Sequence, residues 1–84
     1  MKLVFAEEAW ADYLYWQEND KKTLKRINEL IKAIKREPFG GIGDPEPLKF
    51  KWSGFWSRRI TREHRIIYAV EDDTVLIAQC RYHY

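Results

Sequence analysis

Several things are scarce in this chain, and each shortage excludes a class of protein. A single cysteine, Cys80, rules out an internal disulfide and suits a reducing compartment. No stretch approaches the ~18 consecutive apolar residues of a membrane span, so no contact with a membrane is expected. Met1-Lys2-Leu3-Val4-Phe5 runs straight into Glu7 and Glu8, without the long apolar region of a secretion signal. A soluble, cytoplasmic protein is the expectation. Histidine is scarce too: His64 and His83 are not at zinc-ligand spacing with Cys80, and no paired-carboxylate motif suggests magnesium. Neither a metal nor a cofactor is expected. Repeats, linkers and low-complexity stretches are absent, so residues 1–84 read as one domain.

What the chain has in quantity is aromatic side chains: 4 Trp, 5 Tyr and 4 Phe. A domain this small buries only about 60% of the surface its unfolded chain exposes. Aromatic rings compensate, because each can bury about 150–250 Å². The net charge of +2 says little, but its distribution is uneven. Residues 1–47 carry eight Lys/Arg against nine Asp/Glu. Residues 48–68 carry Lys49, Lys51, Arg58, Arg59, Arg62 and Arg65 against Glu63 alone. Such a cluster suits a phosphate backbone, and a solvated sheet face is the plainer alternative. Trp52, Phe55, Trp56 and Tyr68, which can stack on unpaired bases, favour RNA.

Leu3–Phe5 reads as a short strand and residues 6–18 as a helix, with Ala6, Ala9, Trp10 and Tyr13 on its apolar face. Asn19-Asp20 breaks it, and Asp20 is placed to cap the next helix. There Leu24, Ile27, Leu30, Ile31 and Ile34 form one stripe, with Lys22, Lys25, Glu29, Lys32 and Arg36 opposite. Pro38 ends that helix, because the residue before a proline is pushed out of helical geometry. Residues 39–47 read as a loop whose Glu46 is restrained by Pro45 and Pro47. Strands are expected near 48–52, 55–61, 65–71 and 74–82, turning at Gly54, Arg62–His64 and Glu71-Asp72-Asp73. In the second of these, Ser57 and Arg59 share a face opposite Trp56, Arg58 and Ile60. Strict alternation through the last strand puts Val75, Ile77, Gln79, Arg81 and His83 on one face, and Leu76, Ala78, Cys80, Tyr82 and Tyr84 on the other. The predicted class is α+β, with order β-α-α-β-β-β-β and both helices on one face of a mostly antiparallel twisted sheet.

Glu46, Lys49, Arg59, Arg65 and a histidine one residue from the chain end are the parts needed to cleave RNA without a metal. RNA carries its own nucleophile, the 2′-hydroxyl. A carboxylate and an imidazole can move the two protons, and fixed cations can stabilise the phosphorane. These residues leave open which of Glu46 and His83 is base and which is acid. His64 reads as a turn residue, and Cys80 as a small buried apolar one.

Pro45-Glu46-Pro47-Leu48-Lys49, Ser53-Gly54-Phe55-Trp56-Ser57-Arg58-Arg59-Ile60, Glu63-His64-Arg65 with Tyr68, and Arg81-Tyr82-His83-Tyr84 together carry a resemblance. Their order and spacing resemble the YoeB toxins of the RelE superfamily, the mRNA-cleaving halves of bacterial toxin–antitoxin pairs. The likeness runs end to end and departs at Phe50-Lys51-Trp52, where that family usually has smaller or more polar residues and a leucine. It implies a RelE-like, microbial-RNase-like fold and a ribosome-dependent endoribonuclease that cuts mRNA in the A site, against 16S rRNA. It also implies Glu46 as general base, His83 as general acid, Arg65 as transition-state stabiliser and Tyr84 as an orienting group. Lys49, Arg59 and Glu63 become substrate contacts. A homodimer and a cognate YefM-like antitoxin are the implied protein partners. Three other readings compete: a nuclease acting on free RNA, a ParE-like toxin that poisons DNA gyrase by binding it, and a non-catalytic RNA-binding module that would leave the strand intact. A protein poison has no need for Glu46, Arg65 and His83 together.

Overall fold

The computed structural model of the chain describes residues 1–83; Tyr84 lies outside the described residues. Its elements are β1 (Lys2–Phe5), α1 (Glu7–Asn19), α2 (Lys21–Arg36), β2 (Glu46–Pro47), β3 (Trp56–Arg59), β4 (Arg65–Glu71) and β5 (Thr74–Gln79), with a short 3-10 turn at Phe50–Trp52. The five strands make one sheet in the order β1-β5-β4-β3-β2. β1 runs parallel to β5, and the other neighbours are antiparallel. The predicted α+β order is therefore observed.

Helix signals in the sequence act as expected. Asp20 closes α1 with an extended backbone, and its side chain accepts the Thr23 amide at 3.1 Å to start α2. That hydrogen bond and the one from Thr23 Oγ1 lower the Asp20 pKa. Glu37 caps α2 directly before Pro38. Ile27, Leu30, Ile31 and Ile34 enter the core with Ala9 and Trp16 of α1 and with Ile66, Tyr68, Val75 and Ile77 of the sheet. On α1 Ala6, Ala9 and Tyr13 face the core as expected, and only Trp10 departs from the expected face. Trp10 is 49% exposed, whereas Trp16 is buried with its Nε1–H donating to the Cys80 carbonyl at 2.8 Å.

Three strand expectations need correction. No strand forms at 48–52, where Phe50–Trp52 make the 3-10 turn, and Glu46, expected in a loop, sits on the two-residue strand β2. β3 is shorter than 55–61. The last strand stops at Gln79 rather than 82, and its alternation is interrupted. Ile67 pairs with Gln79 but Tyr68 pairs with Ile77, so Ala78 is an extra, bulged residue. That insertion turns Cys80 inward with Val75 and Ile77, all fully buried, where strict alternation separates them.

Arg58 and Tyr68 leave the set of RNA-facing groups, because both are fully buried. The Arg58 guanidinium donates to Tyr68 Oη (3.1 Å), Ile42 O (3.0 Å) and Glu37 O (2.7 Å), and Tyr68 Oη donates to Pro38 O at 2.7 Å. Glu37 is the C-cap of α2, where the helix dipole favours a cation. Burial raises the Tyr68 pKa, and Arg58 offsets part of that rise. Gly43 crosses Arg58 at φ +88°, and a Cβ there would lie 2.7 Å from Leu30 Cδ2 and 3.1 Å from Arg58 Cβ. The segment leading to Glu46 is thus tied down from inside.

Candidate functional site

The sheet register assembles the site. Glu46 pairs with Ser57, Ser57 with Ile67, and Arg59 with Arg65. Paired residues share a face, and so do residues two apart on a strand, so Glu46, Arg59 and Arg65 all stand on the face away from the helices. Diagonal neighbours in such a ladder are about 7–8 Å apart, which places Arg59 within long-side-chain reach of Glu46. This face is not uniformly open: Ser57 and Ile67, at its centre, are buried.

Two arginines directly opposite one another repel, which destabilises an antiparallel pair. Arg59 and Arg65 are so placed, and an anion between them would relieve the repulsion. Arg65 is braced for that role. Its Nη1 donates to the carbonyls of Thr61 (2.8 Å), His64 (3.1 Å) and Arg62 (3.2 Å) in the β3–β4 turn. One terminal nitrogen makes all three bonds, and a guanidinium has five N–H donors in total. Arg59 is exposed, while its own amide is held by Gly43 O at 2.7 Å. Glu46, Lys49 and Glu63 are exposed as well. Glu63 stands in the β3–β4 turn, where Thr61 Oγ1 accepts its amide at 3.2 Å. Being an anion, it suits a hydroxyl or base edge of a substrate rather than its phosphate.

His83 is not on a strand, contrary to expectation, yet its approach is fixed. Arg65 N–H donates to Tyr82 O at 2.9 Å, and Tyr82 N–H donates to His64 Nδ1 at 2.7 Å. The Tyr82 peptide is thereby clamped against the start of β4, at φ +66°. His83 follows at once, exposed and beside Arg65 in the chain path. Tyr84, the other terminal candidate, falls outside the described residues.

The clamp extends into α1, and here sequence reasoning missed most of the participants. Cys80 N–H donates to Asp12 Oδ2 at 3.0 Å, and the Arg81 guanidinium lies 3.4 Å from the Tyr15 ring centroid and 4.6 Å from that of Tyr82. His64 packs edge-on against Trp16, with centroids 4.8 Å apart. Accepting the Tyr82 N–H requires His64 Nδ1 to carry no proton, so the ring tautomer is set by this contact. Burial raises the Asp12 pKa, with the Cys80 amide and then Arg81 opposing. Burial, reinforced by Asp12, pushes the Cys80 thiol up to about 12. Such a thiol is no nucleophile at neutral pH. These pairings join residues as far as 68 apart in sequence, and no local pattern announces them.

Beside Glu46, residues Pro47 to Trp52 line a pocket of about 510 Å³. No three His, Cys, Asp or Glu side chains among the described residues gather where a metal could bind. No helix among them is long and apolar enough to cross a membrane.

Residues 5–84 match the family described as the YoeB-like toxin of bacterial type II toxin–antitoxin systems. The chain is 68% identical to Toxin YoeB of Escherichia coli strain K12 over 84 residues, covering all of both chains. It is similar to a solved YoeB/ParE toxin from Agrobacterium tumefaciens, with 49% identity, a TM-score of 0.98 and full coverage of both chains. Two Staphylococcus aureus structures, a YoeB dimer and a heterotetrameric YoeB–YefM complex, match at TM-scores of 0.93 and 0.92. In each the identity is 49%, over 100% of this chain and 98% of the other.

Proposed function

Because the chain belongs to the YoeB family of type II toxins, we propose that it is a ribosome-dependent endoribonuclease that cuts mRNA in the ribosomal A site. The observation that carries this reading is the Arg59–Arg65 pair on the face that also holds Glu46, beside the clamped approach to His83. A phosphodiester between the two arginines would lie next to a carboxylate on one side and an imidazole on the other.

In the proposed mechanism Glu46 takes the proton from the 2′-hydroxyl, whose oxygen attacks the adjacent phosphorus. Arg65 stabilises the charge that builds on the phosphorane, without having to reorganise, since its turn already holds it. His83 gives a proton to the departing 5′-oxygen, and Tyr84 orients the scissile group. Each proton transfer contributes roughly 10²–10⁴-fold. Lys49 and Arg59 hold flanking phosphates, and Glu63 meets a hydroxyl or base edge. No redox step arises, and the products are a 2′,3′-cyclic phosphate and a 5′-hydroxyl.

The partners follow from the relatives. A toxin half identical to this chain forms a dimer and binds YefM, so a homodimer and a YefM-like antitoxin that covers the site are proposed here too. The test is to incubate the protein with programmed ribosomes and, separately, with naked mRNA, and to map both new ends. Cuts within the A-site codon, only on ribosomes and with cyclic-phosphate ends, are expected. Equal cutting of naked RNA would make it a ribosome-independent nuclease. Intact RNA beside inhibited gyrase would place it with the gyrase poisons.

A further inference from the structure

Phe50 is the most exposed large apolar side chain described, at 92%, and it sits in the left-handed backbone region at φ +59°. Large side chains seldom adopt that conformation, which costs on the order of 1 kcal/mol or more. Burial does not compensate here. Lys49 and Lys51 flank the ring, both exposed. Behind it Trp52 is half-buried, edge-on to Phe55 with centroids 5.2 Å apart. Between Glu46 and Glu63 the chain has no acidic residue, so the two lysines flanking the ring favour an anionic partner. The pocket these residues line, about 510 Å³, reaches Glu46 itself.

We propose that Lys49-Phe50-Lys51 is a binding site for one unpaired nucleotide of RNA, its base stacked on the Phe50 ring and its neighbouring phosphates held by the two lysines. Stacking on an exposed aromatic ring needs an open π-face and gains from nearby cations, and both are present. Because the pocket is continuous with Glu46, the stacked base belongs to a nucleotide adjacent to the bond that is cut. The site therefore sets how firmly and in what register RNA is held, apart from the chemical step. This inference deepens the RNA-cleaving reading and rests on it.

The probe is a short single-stranded RNA carrying a fluorescent purine analogue next to the scissile position, with that position deoxygenated at its 2′-carbon to prevent cutting. Bound to the wild-type protein, the analogue should be quenched by stacking. Phe50→Ala and Phe50→Leu should each lose the quenching and weaken binding about tenfold, while Phe50→Trp retains both. On programmed ribosomes the same two variants should raise KM with kcat unchanged. Phe50→Leu matching wild type would overturn the proposal, since apolar contact alone would then suffice. So would Phe50→Ala with unaltered RNA binding but weakened binding to antitoxin or to a second copy, which makes the ring a protein contact. A wild-type protein that quenches the probe but cuts nothing would remove the nuclease reading and leave the stacking site standing.

Discussion

Arg58 carries a positive charge into the core with no carboxylate among its hydrogen-bond partners, and two backbone carbonyls and the Tyr68 hydroxyl serve in its place. Arg58→Ala should cost about 2–4 kcal/mol, because it leaves a cavity and unpaired buried acceptors together. Arg58→Met refills the volume but not the hydrogen bonds, so it should recover only part of that loss in a urea titration. Full recovery would show that packing, not polar satisfaction, is what Arg58 supplies. His83 is the opposite kind of residue, exposed and near the chain end. His83→Gln should abolish growth inhibition at wild-type expression and leave the melting temperature within about 2–4 °C, since substitutions at exposed positions change stability little. Full toxicity of that variant would remove the imidazole from the mechanism. His64→Ala should lower the single-turnover rate about ten- to hundredfold by loosening the Tyr82 peptide that positions His83. His64→Gln, whose side-chain oxygen can accept the same amide, should restore part of that rate.

The junction of α1 with the segment after β5 is held by Asp12, Tyr15 and Trp16, and Asp12 gives it a pH dependence. Its folded pKa lies above the ordinary value of 3.8, so the folded state binds the proton more tightly than the unfolded chain does. Stability contributed by Asp12 is therefore greatest at acid pH, and declines as pH rises from about 3.8 through the raised folded value. Asp12→Asn keeps an acceptor for the Cys80 amide and cannot ionise. It should melt higher than wild type at pH 7, with the gap closing below about pH 4. A gap that is constant across pH would mean that the carboxylate charge is not what differs.

Over the molecule as a whole, basic side chains are plentiful in both layers. The outer face of α2 carries Lys22, Lys25, Lys32 and Arg36 with Glu29, while the stretch from Lys49 to Arg62 is purely basic. Phosphate contacts release counterions, so Lys49→Ala and Arg59→Ala should each flatten the salt dependence of ribosome binding by about one unit of slope. Their defects should thus be largest at low salt. Arg65→Ala should instead lower the rate at saturating ribosome, because its charge is assigned to the transition state. If Arg65→Ala loses affinity alone, the arginine is a binding residue.

How much of this was legible depended on whether the signal was local. The α2 stripe, the Asp20 cap and the Pro38 stop rely on residues within a few positions of one another, and they appear in the structure as read. Facing of Ser57 and Arg59 away from Trp56 and Arg58 follows from alternation alone, and it too is observed. Alternation could not show that Arg58 is buried, because the carbonyls that hold it come from residues 37 and 42. Nor could it reveal the bulge at Ala78, which reverses the inward face before Cys80. Glu46, Arg65 and His83 could be singled out as candidates from residue type together with the family resemblance. Their geometry could not be read that way. Register across β2, β3 and β4 gathers Glu46, Arg59 and Arg65, and contacts from Asp12, Trp16 and His64 guide the chain towards His83. Those are long-range contacts, formed only when the whole chain has closed on one core.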